Sequence, residues 1–166
     1  MSAKNMQDPL DFEVQTMAFR RLLVAVDEDD STSSIRAFNY AVTLAKSYHV
    51  PLAVVTILET SDLNIYDSLS PDVLANRREE VLAKVNRYAQ KAKDFGVVEV
   101  SSLIGEGKPG KVIVNQVVPE WRPDLLIVGS ETKEKGRLFI GSQASYMAQN
   151  APCSVIVVRA SDQYEA

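Results

Sequence analysis

The sequence predicts an α/β protein: a three-layer, doubly wound open sheet of five parallel strands. Three observations carry that prediction. Of five candidate strand runs, four lack the polar alternation of a half-exposed strand, as strands buried on both faces do. Segments of helix length and helical period separate them, and parallel neighbours need such crossovers. The chain has 166 residues, of which 46% are hydrophobic and 24% charged, which suits one core, since domains cluster at about 100 to 150 residues. Residues 1–18 form a polar leader expected to be flexible, and residues 19–166 are expected to form a single domain.

The first strand is read at Leu22-Leu23-Val24-Ala25-Val26, a continuous apolar run ending at Asp27. Asp29, Asp30, Ser31 and Ser33 then supply N-cap side chains, and Ile35, Phe38, Ala41, Val42, Ala45 and Tyr48 follow at helical spacing. Leu52 to Leu58 is the second buried strand. After a linker from Thr60 to Leu69, Ser70-Pro71 places a cap and a first-turn proline before a long helix. The stripe of that helix is Leu74, Val81, Leu82, Val85, Tyr88, Ala89, Ala92 and Phe95. Val97 to Ile104 alternates imperfectly, as a third strand near a sheet edge would, and Gly105-Glu106-Gly107 turns it into a helix near Pro109. Ile113, Val114 and Val117 give that helix its inner face. Leu125 to Val128 is the fourth strand, Ser142 to Asn150 the fourth helix and Val155 to Val158 the fifth strand.

Composition narrows the function. Eighteen Lys and Arg against 22 Asp and Glu give a net charge of -4, so no general field draws nucleic acid or an anionic membrane. The lone Cys153 excludes an internal disulfide, and with the one His49 it excludes a Cys/His zinc cage. Residues 1–17 have neither the basic start nor the apolar run of a signal peptide, and no stretch approaches the roughly 20 apolar residues of a spanning helix, so a cytoplasmic protein is expected.

In an open parallel sheet the ligand site lies beyond the carboxyl ends of the strands, where strand order reverses. That rule selects the loops after strands one to four, above all Gly129 to Ser142. Gly141-Ser142 begins a helix whose free N–H groups, with those of Gln143, and positive dipole end suit an anion. The same residues read equally as a turn glycine and a helix cap. Glu28, Asp29 and Asp30 are read as capping residues of the first helix ahead of a metal site. His49 is read as a surface residue, Cys153 as a small packed residue, and Trp121 as a cover for the helix-three turn.

Several ordered blocks resemble the universal stress protein family: VDEDDS after strand one, Gly107-x-Pro109-x-x-x-Ile113, DLLIVGS at strand four, IGSQAS, and APCSVIVV at the end. The resemblance runs from Arg21 to Arg159. It implies a Rossmann-like sheet of the adenine nucleotide alpha hydrolase-like kind, strand order 3-2-1-4-5, in a stress-response sensor or scaffold rather than a dedicated catalyst. One branch of the family binds ATP through Gly-x-x-Gly, nine residues, then Gly-Ser or Gly-Thr. Here Gly129 matches the first glycine and Gly141-Ser142 the final pair; Thr132 stands at the second glycine, and the interval is one residue short.

The implied ligand is an adenine nucleotide, ATP with Mg²⁺ in that branch. Its implied site comprises Ala25, Val26, Asp27, Thr56, Ile57, Val128, Gly129, Thr132, Gly141, Ser142 and Gln143. In it Asp27 accepts from a ribose hydroxyl and the Ile57 backbone reads the adenine edge. A homodimer through Val155, Ile156, Val157 and Val158 is implied as well. A stress scaffold that binds no nucleotide is the alternative. A receiver-like phosphoacceptor would need an Asp after strand three and a Lys after strand five, where Gly105-Glu106 and Arg159-Ala160 stand. A slow ATPase or adenylating enzyme finds no GxxxxGKS or GxxxxGKT loop.

Overall fold

The computed structural model of the protein describes residues 8–28, 32–60, 70–130 and 140–161. In chain order the elements are β1 (Leu22–Ala25), α1 (Thr32–Tyr48), β2 (Leu52–Leu58), α2 (Pro71–Phe95), β3 (Val100–Glu106), α3 (Pro109–Val112), a π-helical turn (Ile113–Val117), α4 (Val118–Trp121), β4 (Leu125–Gly129), α5 (Ser142–Asn150) and β5 (Ser154–Val158). All strand pairs are parallel, in the order β3-β2-β1-β4-β5. The predicted fold class and strand order are those observed.

The uninterrupted apolar character of the strands follows from a core on each face. Leu22, Val24, Leu52, Val54, Leu125 and Ile127 point to one side, against Phe38, Ala41, Val42 and Ala45 of α1 and Val85 and Ala92 of α2. Their neighbours Leu23, Ala53, Val55, Leu126 and Val128 point to the other, against Val112, Ile113, Val114 and Val117 and against Ala144 and Met147 of α5. With both faces covered, the central strands β1, β2 and β4 are apolar at nearly every position and their period-two signal vanishes.

Details of the helical stripes differ from expectation. Ile35 and Tyr48 of α1 and Leu82 and Phe95 of α2 are more than two-fifths exposed. At the start of α1 the inward positions fall to Ser33 and Ser34, both buried, which rotates Ile35 outward. Phe95 is instead covered by the Lys46 ammonium, 4.6 Å from its ring centroid. The long helix ends at Gly96, whose φ of 111° is left-handed and whose N–H reaches the Ala92 and Lys93 carbonyls. Val97 therefore belongs to the turn, and β3 begins at Val100, running on to Glu106 opposite Leu58. The π turn has its cause in Pro119: lacking an N–H, it cannot bond the Asn115 carbonyl, and the Val118 N–H reaches back five residues to Ile113.

The amino ends of the strands are closed by side chains. Trp121 Nε1 donates to the Leu22 carbonyl at 3.1 Å, and the Arg21 guanidinium stacks 5.1 Å from the indole centroid. Trp121, expected as a cover for the helix-three turn, also packs against the core cluster that includes Ile113, Val117 and Val118. Preceding the sheet, Leu10, Phe12, Val14 and Met17 are exposed. Among the described residues no helix is long and apolar enough to cross a membrane.

Candidate functional site

The order β3-β2-β1-β4-β5 reverses direction between β1 and β4, so the topological crevice opens above the carboxyl ends of these two strands. On the β1 side four backbone groups from Val26 to Glu28 are tied. Ala25 is the last β1 residue in register, opposite Val55 on one side and Val128 on the other. The Val26 N–H donates to the Val55 carbonyl at 3.0 Å. The buried Thr56 hydroxyl donates to the Val26 carbonyl at 3.1 Å. The Asp27 N–H donates to Ser34 Oγ at 2.8 Å, so α1 holds the strand end through its first turn. Asp27 itself is exposed at the mouth of the crevice.

Strand β2 continues past the last β1 pair, and Thr56, Ile57 and Leu58 extend beyond it. The Ile57 side chain is buried in the core on the α5 face, as is that of Val128; each has only its backbone to offer a ligand.

The β4 side is built differently. Gly129 ends β4 beneath α1, and a Cβ placed there would lie 2.8 Å from Ser33 Cβ and 2.9 Å from the Ser33 carbonyl carbon, with Ser33 Oγ closer still. The glycine is needed for this close approach of strand and helix. Next, the Ser130 N–H donates to the Val158 carbonyl at 2.9 Å, and the Ser130 carbonyl accepts from the Gly141 N–H at 3.1 Å. These bonds close the base of the loop whose body, residues 131–139 with Thr132, lies outside the described residues. They also correct the expectation that Gly141 is an unpaired donor. The first bond of α5 runs from the Ser145 N–H to the Gly141 carbonyl at 2.9 Å, so the N–H groups of Ser142, Gln143 and Ala144 precede it, as the opening donors of a helix do. Gly141 has φ -57° and ψ 151°, backbone that any residue adopts.

The side chain of Gln143 has a partner: its Oε1 accepts from the Gly110 N–H at 2.8 Å, tying α5 to the first turn of α3. Sequence reasoning saw only its backbone position, because the pairing spans 33 residues. The same reasoning passed over three polar residues around the strand end. Ser34 is one. The others are Arg77 and Lys84 of α2: Arg77 Nη2 lies 2.7 Å from Glu28 Oε1, and Lys84 Nζ donates to the Glu28 carbonyl. Their i, i+7 spacing on one helix face was the available signal.

Elsewhere, Arg78 grips Glu106 at the β3 edge with Nε and Nη2, the latter 3.1 Å from Oε2. The guanidinium holds the Glu106 carboxyl below its ordinary range. Burial pushes the Cys153 thiol up, in keeping with a packed rather than a reactive residue. His49 is exposed in a left-handed turn, φ 55°, after α1. Asp29, Asp30 and Ser31, expected as caps, lie outside the described residues, and among those described no three His, Cys, Asp or Glu residues are grouped to hold a metal ion.

This combination of strand order, crevice and helix start coincides with a family match. The universal stress protein family model matches residues 18–159. The chain belongs to the universal stress protein family. A Staphylococcus aureus (strain USA300) protein carrying the universal stress protein name is 30% identical over 147 residues, 86% of each chain. Universal stress protein UspA from Lactobacillus plantarum superposes with a TM-score of 0.73 at 24% identity, over 87% of this chain and 100% of its own. A universal stress protein solved in complex with cAMP superposes with a TM-score of 0.64 at 26% identity, over 87% of this chain and 100% of its own. Among universal stress proteins, then, the fold accommodates an adenine nucleotide.

Proposed function

We propose that this universal stress protein is a cytoplasmic sensor or scaffold of one domain that binds an adenine nucleotide in the crevice between β1 and β4, without dedicated catalytic machinery. The observation that carries the reading is Gly141. Its dihedrals do not call for glycine, and it stands immediately before the opening N–H groups of α5, where a missing side chain leaves room for a phosphate. In this reading the phosphates take the Ser142 and Gln143 N–H groups, with Gly141 as their floor rather than a donor. Asp27 accepts from the ribose, the backbone of Ile57 meets the adenine edge, and Ala25, Val26, Thr56, Val128 and Gly129 line the base. Where ATP is the nucleotide, Mg²⁺ would enter with the triphosphate and supply charge neutralisation, since the described residues hold no ready carboxylate set. Thr132 would border the phosphates from the loop.

A second reading, a stress scaffold that takes no nucleotide, is favoured by two bonds: the Gly141 N–H is already given to Ser130, and the Gln143 side chain to Gly110. Both readings include a two-fold dimer. Strand β5 is an edge strand, with Val155, Ile156 and Val157 only partly buried, and such an edge pairs readily with its own copy.

Calorimetry with ATP, AMP and cAMP, with and without Mg²⁺, separates the two. Saturable binding that Gly141→Val abolishes supports the first; no heat with any of the three supports the second. A gain in affinity for Thr132→Gly would show that the missing family glycine limits the phosphate subsite. Sedimentation at micromolar concentration reads the dimer, and a species of 18 kDa alone would overturn it.

A further inference from the structure

We infer that Arg77 and Lys84 of α2 are positioning residues that set Asp27 through Glu28, and thereby give the site its preference for ribose over deoxyribose; the inference rests on the nucleotide-binding reading above. Three ties converge on two consecutive residues. Ser34 Oγ accepts the Asp27 N–H. Lys84 Nζ donates to the Glu28 carbonyl, and Arg77 Nη2 pairs with the Glu28 carboxylate at 2.7 Å. The peptide following Asp27 is therefore held from both sides, by α1 at its start and by α2 at its end.

The helix is suited to this work. Arg77 and Lys84 lie two turns apart on the face that also buries Val81 and Val85, so the cations ride on packed backbone rather than on a loose surface turn. The Glu28 side chain is only 15% exposed, which shields the pair from the screening that weakens surface ion pairs. Arg77 Nε is buried and has no hydrogen-bond partner among the described residues. A buried donor left unpaired is costly, and here it accompanies a guanidinium turned toward the strand end instead of into water. A carboxylate that must meet a hydroxyl within hydrogen-bond distance gains from such fixing, because a misplaced acceptor loses most of its discrimination.

The experiment titrates ATP and 2′-deoxyATP, each with Mg²⁺, into the full chain and into Asp27→Asn, Arg77→Ala, Arg77→Lys and Arg78→Ala. A charged acceptor to one hydroxyl corresponds to a preference for ATP of about tenfold or more, and wild type and Arg78→Ala are expected to show it. Arg78→Ala is the control because it removes an adjacent ion pair, to Glu106, two strands from the switch point. Asp27→Asn and Arg77→Ala are expected to lower that ratio to below about threefold, chiefly by weakening ATP, and Arg77→Lys to restore part of it. A merely structural role would weaken both nucleotides equally and leave the ratio intact, which would overturn the inference. Should Arg77→Ala fail to fold, Arg77→Lys is read alone: an unchanged ratio overturns the inference and a partial fall supports it. Wild type binding both nucleotides equally would overturn it while leaving the nucleotide-binding reading standing; wild type binding neither would remove both.

Discussion

The two walls of the crevice are held by opposite means. On the β1 wall, polar side chains from β2, α1 and α2 tie successive backbone groups, Thr56 to Val26, Ser34 to Asp27 and Lys84 to Glu28, and Arg77 pairs with the Glu28 carboxylate. On the β4 wall, fit comes from missing side chains and main-chain bonds, with Gly129 under Ser33 and the Ser130 to Gly141 closure. The difference teaches that the two glycines shared with the family motif have separate causes. Gly129 is required by the fold, whereas the backbone angles of Gly141 do not call for glycine.

The sharpest way to break this comparison is at the glycines. Gly129→Ala should destabilise the protein by on the order of 3 kcal/mol, because the new Cβ meets Ser33 and neither strand nor helix can withdraw without disturbing a core. Gly141→Ala should cost no more than about 1 kcal/mol, the value of exchanging a tolerated N-cap residue for a poor one. Denaturant midpoints for both variants check this, and equal losses would dissolve the distinction. Next in size is Thr56→Val, which keeps the shape but strips the buried Val26 carbonyl of its donor; a loss of about 2 kcal/mol is expected. Ser34→Ala should follow at about 1 kcal/mol, since the Asp27 N–H it abandons lies near solvent and water can replace the hydroxyl.

The smallest expected effect lies at the Arg78 and Glu106 pair. The Glu106 carboxyl is held low by hydrogen bonding from Arg78. A depressed carboxylate contributes stability that is present above its unfolded value and is lost as pH falls through the folded one. Both partners are well exposed, and the contribution is correspondingly slight. The stability gap between wild type and Arg78→Ala should therefore be small at pH 7 and close on acidification toward pH 3. A gap that widens toward acid would contradict the assignment.

Much of the fold was legible because burial on both faces leaves a plain trace in four of the five strands, runs rich in Val, Leu, Ile and Ala separated by helical periods, with β3 the mixed exception. Strand order itself came with the family resemblance. The boundaries that slipped did so where a local period met a tertiary demand. Ile35 continues a helical stripe on paper but yields the inward position to Ser33 and Ser34, which the strand end uses. Val97 reads as strand, yet the left-handed Gly96 commits it to a turn.

For the site, the sequence by itself determined which residue types stand at the carboxyl ends of the strands: an acidic run after β1, a glycine closing β4, and Gly141-Ser142 opening a helix. Local chemistry suffices for that, since caps, turns and buried strands are written within a few residues of one another. Only the tertiary structure decided which of these groups are already engaged. The Gly141 N–H meets Ser130, Gln143 meets Gly110, and Glu28 meets two cations from a helix 49 and 56 residues away in sequence. Such pairings depend on how helices cross the sheet, and a hydrogen bond formed over that distance leaves no periodicity in the chain to announce it.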